Sequence, residues 1–257
     1  MTLPAPEFSM DLKGQTALVT GGSSGLGWRF AQILAAAGAR VAVASRRTER
    51  LTRLVGEIRE SGGEAIAIGL DVTDSGQIVH AVEAAQNGLG TISILVNCAG
   101  IASHTPATDI AVEELDLMLA TNLRGPYILS CEIARRLIRQ KLPGRIVNIA
   151  SMAAFHCDDS GISAYAVTKS GIVRMTEALA VEWAKFNINV NAIAPSLFQS
   201  EMLDAVLAHN PGLADHFPRR RIGRPGQLDS TLLYLVSPSS EFVTGTCIKV
   251  DDAQAPR

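Results

Sequence analysis

Tyr165 and Lys169 stand four residues apart in a stretch with helical apolar spacing, so both project from one face of one helix. A free phenol titrates near pH 10. To act as a base near neutrality its phenolate must be stabilised by about 4 kcal/mol, at roughly 1.4 kcal/mol per pH unit. A neighbouring ammonium is the direct means. Such a tyrosine can give a proton to a carbonyl oxygen, provided a hydride donor stands beside the carbonyl carbon. Tyrosine and lysine at this spacing also occur on solvated helix faces. Here Ala164, Ala166, Gly171 and Ile172 surround the pair with small and apolar residues suited to packing.

The hydride donor would need its own binding site, and a glycine cluster offers one. Thr20-Gly21-Gly22-Ser23-Ser24-Gly25-Leu26-Gly27 follows an apolar strand-like run and precedes a helical one. A turn without side chains lets the backbone approach a pyrophosphate closely, and the following helix N-terminus supplies N–H groups and partial positive charge. Glycines also simply make turns; the strand–turn–helix context is what points to a dinucleotide. About 20 residues on, where an acidic residue would bind the ribose 2′-hydroxyl of NAD, stand Ser45, Arg46 and Arg47. No carboxylate repels a 2′-phosphate there, and a guanidinium fork can hold one. NADP is therefore the expected cofactor, with NAD as the second choice. Otherwise the two arginines merely open an exposed helix.

The elements that must position these groups alternate along the chain. Strands are expected at 16–20, 41–44, 65–70, 92–96, 145–150, 188–193 and 247–250. Helices are expected at 28–37, 48–60, 75–86, 112–121, 126–140, 163–185 and 227–235. Strands apolar on both faces and separated by helices imply a parallel sheet covered on both sides. Right-handed βαβ units then give a doubly wound, Rossmann-like, three-layer α/β fold. No linker divides the chain, so residues 1–257 are expected to form one catalytic domain. Residues 196–226 carry Pro211, Pro218 and Pro225 after Pro195 and are expected to be an irregular lid over the substrate. Phe198, Met202, Leu203, Leu207 and Phe217 make that lid mostly apolar. They suit a substrate with hydrophobic parts, or they pack the lid onto the body.

Composition narrows the partners. The chain has 257 residues, 47% of them hydrophobic, with a net charge of −2, which excludes disorder. Near-neutral charge gives no reason to expect a nucleic-acid partner. The dense basic run Pro218-Arg219-Arg220-Arg221 reads as a solvated or interface loop. No apolar stretch approaches the roughly 20 residues of a membrane helix, and residues 1–10 show no secretory leader pattern. Cys98, Cys131, Cys157 and Cys247 form no CxxC and read as reduced thiols, so a cytoplasmic location is expected. His156-Cys157-Asp158-Asp159 has metal-like residue types but no second cluster to complete a shell, so no metal is expected.

The order Thr-Gly-x3-Gly-x-Gly, Asn97-Cys98-Ala99-Gly100, Asn122, Ser151 and Tyr165-x3-Lys169, spread over nearly the whole chain, resembles the short-chain dehydrogenase/reductase family. Motif spacing is similar to its gluconate 5-dehydrogenase and 3-oxoacyl-carrier-protein reductase branches, and neither specific activity is carried over. The resemblance implies that Tyr165 is the general acid/base, that Ser151 holds the substrate oxygen, and that Lys169 binds the nicotinamide ribose and lowers the tyrosine pKa. Asn122 would support a water relaying protons to Lys169. Contacts to the dinucleotide would come from Gly21, Ser23, Ser24, Gly25, Leu26, Gly27, Ser45, Arg46, Arg47, Asp71, Val72, Asn97, Ala99, Gly100, Tyr165, Lys169, Pro195, Ser196, Leu197 and Ser200. Asp71 would touch the adenine; alternatively it caps the helix from Thr73 onward. A homo-oligomer, tetramer or dimer, is implied as well. Cys98, Ser196, Ser200 and Asp252-Ala253 depart from the family's usual residues, and the Ser151-to-Tyr165 spacing is one longer than is commonest. A non-catalytic nucleotide sensor and an epimerase or lyase are the rival functions on such a fold.

Overall fold

The computed structural model describes residues 8–157, 159–209 and 211–255. Asp158 and most of the expectation for residues 1–10 lie outside the described residues. Seven strands, β1 (Thr16–Thr20), β2 (Arg40–Ser45), β3 (Ala65–Gly69), β4 (Ile94–Asn97), β5 (Gly144–Ile149), β6 (Ile188–Pro195) and β7 (Cys247–Val250), form one parallel sheet. Their order is β3-β2-β1-β4-β5-β6-β7. The connecting helices are α1 (Gly25–Ala36), α2 (Thr48–Glu60), α3 (Ser75–Leu89), α4 (Val112–Leu119), α5 (Gly125–Gln140), α6 (Ser163–Trp183), α7 (Glu201–His209) and α8 (Asp229–Val236).

Side-chain alternation along the strands divides the core in two. Ala17 and Val19 of β1 and Val41 and Val43 of β2 pack with Phe30 of α1, Leu51 of α2 and Leu232 of α8. Leu18, Ala42 and Ala44 point the other way, toward Ile78 of α3, Leu129 of α5 and Ile172 of α6. Both faces are covered, which is why these strands read as unbroken apolar runs. The chain lays β2 and β3 to one side of β1, then returns to place β4 on the other side. A crevice must open where the strand order reverses, outside the carboxyl ends of β1 and β4.

Three elements differ from expectation. First, α1 starts at Gly25, so the last glycines of the loop form the helix's opening turn. Second, the helices expected at 112–121 and 126–140 join through a π-helical turn, Ala120–Arg124. Pro126 lies in the first turn of α5 and has no N–H to give the carbonyl of Asn122, four residues earlier. Third, the region expected to be irregular contains α7. Ser200 caps it, its Oγ accepting from Leu203 N at 3.2 Å. Two apolar residues of this region serve packing: Phe198 and Leu203 are buried, and Phe198 belongs to the core against α1, α2 and α8.

Candidate active site

At the strand-order reversal, the β1–α1 turn meets the loop after β4. Gly21 has φ +71°, and a Cβ there would lie 2.8 Å from the backbone N of Ala99. A Cβ on Gly27 would lie 2.3 Å from the carbonyl oxygen of Gly21. Both glycines are therefore required by close backbone approach. Thr20 Oγ1 accepts from Cys98 N at 3.1 Å and Ala99 N at 3.2 Å, pinning the two loops together. No side chain caps α1, and no acidic residue lies in its first turn. The helix therefore presents its first N–H groups, through Ser23, Ser24, Gly25, Leu26 and Gly27, to whatever lies in the crevice. An anionic pyrophosphate fits this donor set.

Beside the turn, Ser45 closes β2 and its Oγ accepts from Arg47 N at 3.2 Å. Arg47 does more than open a helix. Its Nε donates to Ser23 Oγ at 3.1 Å, its Nη2 to Ser24 Oγ at 2.8 Å and its Nη1 to Glu201 Oε2 at 2.8 Å. Arg46 is exposed. Asp71 Oδ1 accepts from Thr73 N at 2.9 Å and Thr73 Oγ1 at 2.8 Å. The main-chain bond foremost, then the hydroxyl and the Arg46 charge, hold this carboxyl below the usual aspartate range. Asp71 is not the cap of α3. That role belongs to Asp74, which accepts from Gly76 N and Gln77 N. Val72 is buried, its carbonyl oxygen only 2.6 Å from where a Cβ on Gly125 would stand.

The Tyr165–Lys169 pair lies on the first turns of α6, with Lys169 Nζ 5.6 Å from the Tyr165 ring centroid. Lys169 is 6% exposed and donates to Ile149 O at 2.9 Å. Burial lowers its pKa from 10.5 to about 8, partly offset by Cys98. Ser151 hydrogen-bonds Tyr165 side chain to side chain, and its Oγ also accepts from Ala153 N at 3.2 Å, capping a short turn. Burial pushes Tyr165 up, Ser151 pulls it down and Cys98 adds to the rise. The lysine is itself desolvated, so its charge is poorly supported. Burial also pushes the Cys98 thiol up to about 12.

Asn122 occupies the π-helical turn and is 1% exposed. Its Oδ1 accepts from Ile101 N at 2.9 Å, while Nδ2 donates to Ile101 O at 2.8 Å and Thr168 Oγ1 at 3.1 Å. It thus clamps the loop after β4 to α6. A Cβ on Gly100 would lie 3.4 Å from Asn122 Oδ1 and 3.5 Å from Lys169 Nζ, so the two groups converge on that glycine. Asn97 lies deeper, donating to Asn148 Oδ1 at 2.8 Å and Ser130 Oγ at 3.1 Å beneath the site.

At the carboxyl end of β6, Pro195 closes the strand and Ser196 N donates to Val250 O at 3.1 Å. Leu197 N donates to Gln254 Oε1 at 3.0 Å. Ser200 comes down on the glycine turn, its Cβ 3.2 Å from the position of a Cβ on Gly25. The basic run finds its partner here: Arg221 and Arg219 pair with Asp252. Asp252 and Ala253 hold φ values of 49° and 61°, so the left-handed backbone persists without glycine. The mouth is bounded by residues 101–105, 155–157 and 159–161, with His104 Nδ1 3.3 Å from Ser160 O. Lys249 Nζ sits 3.9 Å over the Phe155 ring. Among the described residues no group of three or more His, Cys, Asp or Glu is placed to hold a metal ion. No helix among them is long and apolar enough to cross a membrane. Sequence reasoning missed the role of Thr20 in joining the loops, and missed Thr168 and Glu201. Thr20 was visible as the last residue of β1; Glu201 carried no signal, because its partners lie more than 150 residues away.

The crevice, with its glycine cradle and buried tyrosine–lysine pair, defines a dinucleotide-dependent oxidoreductase. A family model described as short chain dehydrogenase matches residues 15–211. The 5-keto-D-gluconate 5-reductase of Escherichia coli K12 is 32% identical over 243 residues, covering 93% of this chain and 95% of that protein. The crystal structure of a short-chain type dehydrogenase/reductase from Mycobacterium marinum superposes with a TM-score of 0.93 at 34% identity, over 96% of this chain and 98% of that one. A gluconate 5-dehydrogenase from Burkholderia cenocepacia J2315, in complex with NADP and tartrate, gives 0.88 at 30% identity, over 95% and 96%. The chain belongs to the short-chain dehydrogenase/reductase family and is an NAD(P)-dependent oxidoreductase acting on CH–OH groups.

Proposed function

We propose that this chain interconverts a ketone and a secondary alcohol of a sugar acid with NADP(H), using Tyr165 as the acid/base. One observation carries the mechanism: the Tyr165 phenol, the Ser151 hydroxyl and the Lys169 ammonium gather beside the loop after β4, next to the glycine turn. When bound, the nicotinamide supplies or takes the hydride at the substrate carbon, and its oxidised ring adds positive charge. In reduction, the Tyr165 O–H bond breaks and its proton goes to the carbonyl oxygen as the C=O π pair moves there. Ser151 donates to the same oxygen and steadies its developing charge. Lys169 spends one N–H on Ile149 and keeps two donors for ribose hydroxyls. Asn122 spends its side chain on Ile101 and Thr168. Its carbonyl, to which Pro126 four residues on offers no N–H, accepts from a relay water that passes protons toward Lys169.

The glycine turn takes the pyrophosphate. Asp71 and Val72 flank the adenine, Asn97, Ala99 and Gly100 line the floor, and Pro195, Ser196, Leu197 and Ser200 close over the nicotinamide end. Arg47, with Ser23, Ser24 and Arg46, grips the 2′-phosphate, so NADP binds more tightly than NAD. Relatives support both choices: one acts on 5-keto-D-gluconate by its name and another is bound to NADP. A polar mouth of Ser103, His104, Thr105 and Ser160 suits a polyhydroxylated substrate. The apolar lid residues Phe198 and Leu203 face their own packing and make no demand for an apolar one.

The chain functions as one catalytic domain with 196–226 as its lid, in the cytoplasm, as a homo-oligomer. Exposed Val112 and Leu117 on α4, Tyr127 on α5 and Val167 and Val181 on α6 supply the apolar contact between copies. The test is consumption of NADPH and of NADH with keto sugar acids and simple ketones. Keto sugar acids with NADPH should be the best pair, and Tyr165→Phe should remove turnover while leaving NADPH binding. Turnover unaffected by Tyr165→Phe would end the mechanism.

A further inference from the structure

Glu201 is the first residue of α7, yet its carboxylate reaches the carboxyl end of β2. It accepts from Arg47 Nη1 at 2.8 Å and pairs with Arg50 as well. The same Arg47 guanidinium holds the hydroxyls of Ser23 and Ser24. An anion seated between two guanidiniums, one of which also holds two hydroxyls, has the surroundings a phosphate monoester would take. The geometry points to Glu201 as an internal competitor for that pocket: the lid's own carboxylate occupies the place that a cofactor's 2′-phosphate would take, so α7 and a 2′-phosphorylated dinucleotide contend for Arg47. This rests on the reading that Arg47 holds the 2′-phosphate.

Two consequences follow from mass action. Every 2′-phosphorylated ligand must displace Glu201, so its affinity is lowered by the strength of the Glu201 pairing, while a ligand without that phosphate leaves the pairing in place. Coupling is reciprocal: the phosphate weakens the hold on α7 as much as α7 weakens the hold on the phosphate. Its N-cap, Ser200, already rests on Gly25, so releasing Glu201 frees the end of the lid that covers the glycine turn. Arg47 and Arg50 hold the Glu201 carboxyl down at about 2, so the competition persists at any working pH. Exposed pairs of this kind are individually weak, and two of them set the scale at about threefold to tenfold.

The test is calorimetric titration of the full chain with adenosine 2′,5′-bisphosphate and with adenosine 5′-monophosphate, neither of which carries a nicotinamide. Glu201→Gln should bind the bisphosphate about threefold to tenfold more tightly and the monophosphate unchanged. Asp204→Asn, which removes the same charge from an exposed position on α7, should change neither. Hydrogen exchange of the α7 amides should be faster with saturating bisphosphate than with monophosphate. The competition is refuted if Glu201→Gln leaves bisphosphate affinity unchanged or lower, if Asp204→Asn reproduces the gain, or if both ligands leave α7 exchange equal. The underlying reading is tested separately by Arg47→Ala, which should abolish the wild-type preference for the bisphosphate. No preference in the wild type would sink that reading and the competition with it.

Discussion

Replacing Lys169 with methionine should stabilise the cofactor-free protein at pH 7 while abolishing turnover. The ammonium is 6% exposed, and burial lowers its pKa from 10.5 to about 8. At about 1.4 kcal/mol for each tenfold change in proton affinity, the folded state carries a penalty of roughly 3 kcal/mol for holding that charge. Methionine keeps the length and apolar stem without it. The Ile149 carbonyl, which accepts from Nζ at 2.9 Å, loses its partner, at a cost of about 1–2 kcal/mol. A net gain of about 1–2 kcal/mol remains, or a few degrees in Tm for a chain of this size. The pH dependence carries the sign. Below about 8 the lysine is charged in both states and the penalty is complete. Between about 8 and 10.5 the unfolded chain binds a proton that the folded chain does not, so wild-type stability rises with pH. The advantage of Lys169→Met should therefore shrink across that window and then reverse, the lost hydrogen bond being what is left. Urea unfolding of both proteins from pH 6.5 to 10.5 measures it. A variant less stable than wild type at pH 7, or a difference that does not change with pH, would refute the claim that a desolvated charge is stored there.

Further outcomes follow from local geometry. Gly27→Ala drives a Cβ to 2.3 Å from the Gly21 carbonyl oxygen; it should cost about 3 kcal/mol or more and abolish dinucleotide binding, read by urea unfolding and cofactor titration. Ala253→Gly relieves a φ of 61° and should stabilise by about 0.5–1 kcal/mol, raising Tm; a fall would show that the left-handed backbone there is unstrained. Asp74→Ala removes the cap that accepts from Gly76 N and Gln77 N and should cost about 1 kcal/mol in urea unfolding with little change in turnover.

Residue pattern alone determined the parallel sheet, because strands buried on both faces must carry apolar side chains toward both, as Ala17-Leu18-Val19 of β1 and Val41-Ala42-Val43-Ala44 of β2 do. It also placed the glycine turn after β1 and the Tyr165–Lys169 pair on one helix, since one helical turn sets that neighbourhood locally. Boundaries were less legible. The joined α4 and α5 hide behind Pro126, whose missing N–H looks like a helix start until a π-helical turn absorbs it. Within residues 196–226, prolines masked α7, although Ser200, Leu203 and Leu207 carry its cap and spacing. Only tertiary structure decided that Glu201 meets Arg47, that Asn122 clamps Ile101 and that Gly100 lies between Asn122 and Lys169. Those contacts join segments far apart in the chain, and their partners are chosen by how the sheet order brings loops to one edge. The charge state of the site belongs to the fold for the same reason. Spacing puts a lysine one turn from a phenol, but how much water each retains depends on the layers packed around them, and in this structure desolvation is the largest influence on both.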